Sequence, residues 1–292
     1  MKLGIGTAQF GLNYGISNTF GQTNVHEVKN ILKIAHSNKI TLIDTANLYG
    51  NSEKIVGESL ESSQEFKIVT KTKYFNTTEV TQAQIKQLKS SIYKSLSNLN
   101  AQNLYGVMFH NANDVFCKGG ERLYLELENF KNQKIIAKIG FSVYSQEQIE
   151  ILLKHFSFDL IQLPINILDQ KLLINGALKN LKKHNIEIHA RSVFLQGLLL
   201  MPPSNIPAYF QPIHNLLKQF HDAIKEQNIS PIQAALYFVK NIELLDHIII
   251  GVNNSSQLIE NIDAYNLNTS YINFEKFVCL DESFTNPSNW KI

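Results

Sequence analysis

An α/β barrel of eight parallel strands is the fold class this sequence predicts, and three observations predict it. Short apolar or β-branched runs recur along the whole chain, each followed by a segment with apolar residues at helical spacing. Strict alternation of strand and helix implies parallel strands joined by crossover helices. Eight such runs occur in 292 residues, 44% of them hydrophobic, which suits a (β/α)₈ TIM barrel of about 250 residues in a single domain. The expected unit is one domain over residues 1–292, with extra helices before the last strand and at the C-terminus.

Lys2–Gly6 reads as the first strand. Gly4-Ile-Gly6-Thr-Ala-Gln9 has the outline of a dinucleotide fingerprint, but the third glycine is absent. A glycine-rich loop, Gln9–Gln22, follows where a helix should open. Val28, Ile31, Leu32 and Ala35 mark a helix over Val25–His36. Ile40–Ile43 is the second strand and Ser52–Leu60 the helix after it; Phe66–Thr70 is the third strand, ending in Lys71. Thr81-x-x-Gln84 is a capping box that opens a helix running to about Leu99. Leu104–Phe109 is the fourth strand, ending in His110, and a helix is expected over Glu121–Lys131. Ile135–Ser142 is the fifth strand, with Ser145-x-x-Gln148 capping the next helix.

Asp159–Pro164 is the sixth strand, Gln170–Lys183 a helix and Ile186–Ser192 the seventh strand. Val193–Pro207 is apolar but holds three prolines and Gly197, so it reads as a loop, with a helix expected over Ala208–Gln227. Ser230-Pro231-x-Gln233 is a third capping box, with proline at the first helical position. His247–Gly251 is the eighth strand and Ser255–Ala264 its helix. A short helix near Asn273–Leu280 precedes an irregular tail ending in Trp290.

The formal net charge of +2 gives no electrostatic footprint for nucleic acid. Cys117 and Cys279 share no spacing motif, so neither a disulfide nor a metal site is expected, and a reducing, cytoplasmic setting is the simplest reading. Met-Lys-Leu-Gly-Ile-Gly-Thr lacks the long apolar core of a signal peptide. No uncharged apolar run approaches the ~18 residues of a membrane span.

Chemistry concentrates at strand ends. Asp44 closes the second strand, Lys71 the third and His110 the fourth, with Tyr49 in the loop just past Asp44. In a parallel barrel these ends converge on one face, where such enzymes keep their active sites. Tyrosine is a poor acid, with an ordinary pKa of about 10, but a nearby cation can lower that value enough for it to donate a proton. Singly, each residue has a plainer reading: a core tyrosine, a helix-capping aspartate, a solvated lysine, a satisfied histidine. Their order and common placement carry the functional reading.

The stretch Asp44-x-Ala-x-x-Tyr49-Gly-x-Ser52-Glu53, Lys71 after Ile-Val-Thr, His110 after an apolar strand, and Ile249-Ile-Gly-Val-Asn-Asn-Ser-Ser-Gln-Leu-Ile-Glu-Asn261 together resemble the aldo-keto reductase superfamily across nearly the whole chain. The resemblance implies a cytoplasmic NAD(P)H-dependent oxidoreductase that reduces an aldehyde or ketone. Tyr49 would give its proton to the carbonyl oxygen, Lys71 would lower the phenol's pKa, Asp44 would hold Lys71 charged, and His110 would orient the substrate oxygen. By the same resemblance, Ser142 and Gln162 would hold the nicotinamide carboxamide, and Arg191 stands where many members stack a tyrosine on the ring. Arg191 could lie flat on that ring, bind an acidic substrate group or a cofactor phosphate, or serve in a structural salt bridge. Val143 replaces a common asparagine.

Gly251-Val-Asn253-Asn-Ser255 opens a helix whose amides suit a pyrophosphate or a ribose phosphate, and Asn261 would touch the adenine. NADP(H) is the implied default. Members that choose it place a basic residue at the position of Gln257, which cannot neutralise a phosphate, so NAD(H) is the alternative. Gly6–Gly15 and Ile139–Ser145 resemble a bacterial subgroup associated with cell-surface polysaccharide and sugar biosynthesis, which implies a small-molecule carbonyl substrate of sugar or sugar-nucleotide type. The competing readings are a general aldehyde-detoxifying reductase and a cofactor-sensing subunit with little turnover.

Overall fold

The computed structural model describes residues 2–267 and 272–291; the outermost residues of the expected 1–292 unit lie outside them. Eight strands form a closed parallel barrel in chain order: β1 Leu3–Gly6, β2 Leu42–Asp44, β3 Lys67–Lys71, β4 Leu104–Phe109, β5 Ile136–Ser142, β6 Leu160–Pro164, β7 Glu187–Arg191 and β8 His247–Gly251, with β8 returning to β1. The (β/α)₈ expectation holds, with β4 and β8 at the expected bounds and the others shifted by one or two residues.

Register sorts the side chains. Gly6 faces Asp44, Asp44 faces Val69, Lys71 faces Met108, Ser142 faces Gln162, Gln162 faces His189 and Pro164 faces Arg191. Because strand side chains alternate between faces, these positions and those two residues away share one face. Leu42, Val69, Met108, Leu160 and Ile249 pack into a small buried cluster of their own, separate from the large core between barrel and helices. This apolar layer crosses the barrel between its two mouths. Glycine makes room for it: a Cβ on Gly140 would lie 2.4 Å from Leu160 Cδ1, a distance that no packed carbon tolerates.

All three predicted capping boxes form, at Thr81/Gln84, Ser145/Gln148 and Ser230/Gln233. Each secures orphan amides worth about 1 kcal/mol. Two predicted helices are interrupted. Gln170–Lys183 divides into Lys171–Ile174 and Ala177–Lys183, because Gly176 takes a left-handed conformation at φ +81°. The segment from Ala208 begins as a 3₁₀ helix over Ala208–Ile213 containing Pro212, and the α-helix starts at His214 and runs to Glu226. Gln9–Gln22, expected as loop throughout, is preceded and entered by a helical turn over Ala8–Gly11. Val193–Pro207 winds into 3₁₀ turns at Leu195–Leu200 and Pro203–Asn205.

The tail is ordered by packing. Its 3₁₀ turn Phe274–Phe277 and short helix Glu282–Thr285 lead to Trp290, whose indole N–H donates to the Phe284 carbonyl at 3.1 Å and whose ring meets Phe210 edge-on. Among the described residues no helix is long and apolar enough to cross a membrane.

Candidate functional site

A cleft of about 570 Å³ opens at the C-terminal ends of the strands. Its lining includes Asp44, Tyr49, His110, Ser142, Gln162, Arg191, Gly251, Asn253, Gln257 and Asn261. Of the residues singled out from sequence, Lys71 lies buried behind the wall and the half-buried Ser255 stands outside the lining.

Lys71 is 1% exposed and Asp44 3% exposed. The Lys71 ammonium donates to both Asp44 oxygens at 2.7 Å and to the Thr45 carbonyl at 3.1 Å. Two buried charges are tolerated because they neutralise each other and their remaining valences are filled. Gln162 fills one of these, donating from Nε2 to Asp44 Oδ1 at 2.8 Å. Gln162 thus has a structural task beside the carboxamide contact expected of it.

The Asp44–Glu53 motif is a folded clamp. Ser52 Oγ donates to the Thr7 carbonyl at 2.8 Å, and the Thr7 hydroxyl donates to the Asp44 carbonyl at 3.1 Å. Glu53, 4% exposed, accepts from Thr70 Oγ1 at 2.7 Å and Asn47 Nδ2 at 2.9 Å. Gly50 turns the chain at φ +57°, and a Cβ on Gly11 would fall 1.8 Å from the Tyr49 carbonyl oxygen. Tyr49 is therefore held by backbone on both sides.

The Lys71 ammonium sits 5.1 Å from the Tyr49 ring centroid, and the His110 ring meets the Tyr49 ring edge-on at 5.8 Å. In the site without substrate or dinucleotide, the buried surroundings of Tyr49 work against ionisation of its phenol. Burial and the Asp44 carboxylate push its pKa up, and the Arg191 charge draws it down. The Lys71 charge is spent on Asp44 and lies over the ring face. Burial lowers Lys71 itself, against the pull of Asp44. Burial, reinforced by the Lys71 and Arg191 charges, lowers His110 to about 3, so its imidazole is neutral at ordinary pH. Its Nδ1 is buried without a partner.

Arg191 makes no ion pair among the described residues, so the salt-bridge reading falls away. Its Nη2 donates to the Val143 carbonyl at 3.2 Å, and its guanidinium carbon lies 4.2 Å from the Tyr144 ring centroid. Tyr14, Tyr74 and Tyr144 form an aromatic wall around it, and burial with the neighbouring Tyr49 raises Tyr14 to about 12. Sequence reasoning missed these tyrosines, because they come from three separate loops and no local pattern joins them.

At the helix Ser255–Asn266 two of the first three amides, those of Ser255 and Gln257, are already used. Asn254 Oδ1 accepts from the Gln257 amide at 2.9 Å, Gln257 Oε1 accepts from the Asn253 amide at 2.8 Å, and Glu27 accepts from the Ser255 amide. Hydrogen bonds from Ser255 hold the Glu27 carboxyl below its ordinary range. Glu27 was also missed, since it belongs to the helix Val25–Ser37. Asn253 Oδ1 is buried without a donor, and Asn261 is 4% exposed.

The residues present fit a nicotinamide dinucleotide. Amide and hydroxyl side chains run from Ser142 to Asn261 along one cleft, an acceptor without a donor waits at Asn253, and glycines at 6 and 251 bring backbone to its surface.

Comparison with known proteins agrees. The profile described as "Aldo/keto reductase family" matches residues 2–278. No curated protein matches the chain by sequence. Among solved structures, an aldo-keto reductase from Bacillus halodurans in its holo form is 18% identical, with 94% of this chain and 89% of that one covered and a TM-score of 0.74. A glycerol dehydrogenase from Gluconobacter oxydans is 20% identical, with 94% and 88% covered and a TM-score of 0.70. At these identities the structures speak for the fold, while the profile match speaks for descent: the chain belongs to the aldo/keto reductase family of NAD(P)H-dependent oxidoreductases that act on carbonyl groups.

Proposed function

We propose that this enzyme reduces the carbonyl of a small polar molecule of sugar or sugar-nucleotide type, with Tyr49 as the proton donor and NADH preferred over NADPH. The observation that carries the chemistry is the meeting of Lys71, Asp44, Tyr49 and His110 at one end of the cleft, with Lys71 bound through both oxygens of Asp44 at 2.7 Å. Ser142, Gln162, Asn253, Gln257 and Asn261 would hold a reduced nicotinamide dinucleotide, which would supply the hydride that no side chain can. Burial keeps the proton on Tyr49 until negative charge develops on the substrate oxygen. The phenol then donates, and Arg191 stabilises the charge left behind. His110, neutral, can offer an N–H to the same oxygen.

Two observations support NADH. No lysine or arginine lies between Asn253 and Asn261, and the Glu27 carboxylate already sits on the Ser255 amide. A carboxylate there repels a 2′-phosphate and accepts from a ribose hydroxyl. Titration by nicotinamide fluorescence tests this. NADH should bind at least about tenfold more tightly, and Glu27→Gln should narrow the gap. NADPH binding more tightly to the unmodified enzyme would refute the preference.

The unpaired Arg191 and the tyrosine wall support a substrate with an acidic group and a ring that can stack. A panel of keto-sugars, sugar nucleotides and simple aldehydes decides it; good turnover of aldehydes alone would favour the detoxifying reading. A cytoplasmic setting fits two free thiols, Cys117 and Cys279.

A further inference from the structure

A second polar cluster lies at the other end of the barrel. Glu187 opens β7 and His189 follows two residues later on the same face. His247 opens β8 directly across from His189 in register. The two imidazole rings meet edge-on with centroids 5.0 Å apart. His189 Nε2 is 2.7 Å from Glu187 Oε1, and His247 Nε2 is 3.7 Å from the same oxygen. One ligand atom from each of the three residues lies within 4.8 Å of the others.

The cluster has the build of a metal centre. His189 is fully buried, while His247 is 19% exposed and provides the way in. The Nδ1 atoms of both histidines are buried without a hydrogen-bond partner; His189 Nε2 now donates to Glu187 Oε1, and an ion taking that nitrogen would move its proton to the bare Nδ1 of the same ring. Glu187 is oriented by its other oxygen, which accepts from the Tyr105 hydroxyl at 2.7 Å and from Lys138. A coordinating carboxylate is commonly fixed in this way by outer partners. Oε1, which meets the two Nε2 atoms at 2.7 and 3.7 Å, is the oxygen that an ion between them would take in place of the His189 hydrogen bond. Lys67 and Lys138 are the cations nearby; Lys138 is matched by Glu187, and Lys67 is exposed to solvent.

We infer that Glu187, His189 and His247 bind one divalent transition-metal ion of the zinc type. Two imidazole nitrogens and one carboxylate oxygen are a donor set that zinc and cobalt favour, with water completing a tetrahedral shell. Binding closes the ligand atoms from their present spacing to about 2.0–2.2 Å from the ion, a contraction that His247 can supply from the rim. The ion would tie β7 to β8 beneath the apolar layer and so stabilise the barrel, with none of its three ligands in the lining of the cleft. This inference does not depend on the proposed substrate or cofactor preference.

The test uses the full chain, stripped with a chelator and titrated with Co²⁺ and then Zn²⁺. One equivalent of Co²⁺ should bind with the visible absorption of a tetrahedral site, Zn²⁺ should displace it, and Zn²⁺ at about a hundredfold excess over Kd should raise Tm by roughly 5 °C. His247→Ala should weaken uptake at least tenfold while circular dichroism shows an unchanged fold, and His247→Cys, which supplies a thiolate, should restore it. Absence of uptake by the unmodified chain, or equal uptake by folded His247→Ala, would overturn the assignment.

Discussion

The two mouths of the barrel are built from the same residue types and do different things. At the upper mouth stand a carboxylate, a lysine, a tyrosine and a histidine: Asp44, Lys71, Tyr49 and His110. At the lower mouth stand Glu187, Lys138, Tyr105 and the pair His189 and His247. Each lysine hangs over its tyrosine, with the ammonium 5.1 Å from the ring centroid above and 4.7 Å below. Below, the tyrosine hydroxyl is locked: it donates to Glu187 at 2.7 Å and accepts from Lys138 at 2.8 Å. Above, the Tyr49 hydroxyl has no hydrogen-bond partner among the described residues and lines an open cleft. A proton donor needs a hydroxyl with nothing better to do, so composition identifies neither mouth, and the free hydroxyl together with access distinguishes them.

The sharpest way to break this comparison is to remove the two hydroxyls separately. Tyr49→Phe should lower kcat by about 10³-fold, within the range for loss of a general acid, with dinucleotide affinity and Tm unchanged. Tyr105→Phe should leave kcat alone and cost about 1–2 kcal/mol in urea denaturation, since it strands two hydrogen bonds to charged groups. Equal losses of turnover would mean that the mouths are coupled and that the assignment of Tyr49 is wrong.

This contrast also marks how far the sequence could be read. The strand ends were legible because apolar runs stop abruptly at Asp44, Lys71 and His110, and the three capping boxes because their signals are local. The lower cluster was not. Glu187-Ile-His189 reads as an ordinary strand, and its partners Tyr105, Lys138 and His247 arrive from three other strands only when the barrel closes. The same holds for the tyrosine wall and for Glu27, which reaches the Ser255 amide across the barrel's closing seam. The helix break at Gly176 had a visible glycine, but glycine within a helical pattern does not declare its dihedral angle.

Burial separates the two ion pairs next. Lys71 has a side chain 1% exposed, Lys138 one that is 30% exposed. Lys71→Met leaves the Asp44 carboxylate buried without its cation and should destabilise the fold by about 3–5 kcal/mol. Lys138→Met leaves Glu187 with Tyr105 and His189 still hydrogen-bonded to it and should cost less, about 1 kcal/mol. Denaturant midpoints with unchanged slopes would measure both; a larger loss for Lys138 would show that the lower mouth is the drier one.

Arg191 is the element with no counterpart below, where Lys138 is paired. It draws the Tyr49 phenol down and lies against Tyr144 without a carboxylate. Arg191→Gln should reduce kcat/KM by roughly 10–100-fold for a substrate with an acidic group, a loss of about 1.4–2.8 kcal/mol, and by less for a neutral aldehyde. Equal losses on both would assign Arg191 to charge stabilisation at Tyr49 alone.

The smallest effect compares the histidines. Burial is the leading cause in both, and it lowers His110 to about 3 and His247 to about 4. Each imidazole takes its proton more readily in the unfolded chain, where the ordinary value is about 6.5. Stability from the neutral rings is therefore complete above about pH 6.5 and is lost as the pH falls, through about 4 for His247 and about 3 for His110. Asp169, raised to about 6 by burial, acts with opposite sign, losing stability as the pH rises through that value. That contribution is common to the histidine variants and cancels between them. His247→Asn should flatten the fall in unfolding free energy between about pH 6.5 and 4 by up to one proton's worth, and His110→Asn should extend the flattening toward pH 3. Urea denaturation across that interval reads both slopes. An unflattened His247→Asn profile would mean that water reaches the lower imidazole freely, and the lower mouth would then be a wet ionic rim instead of the buried twin of the upper one.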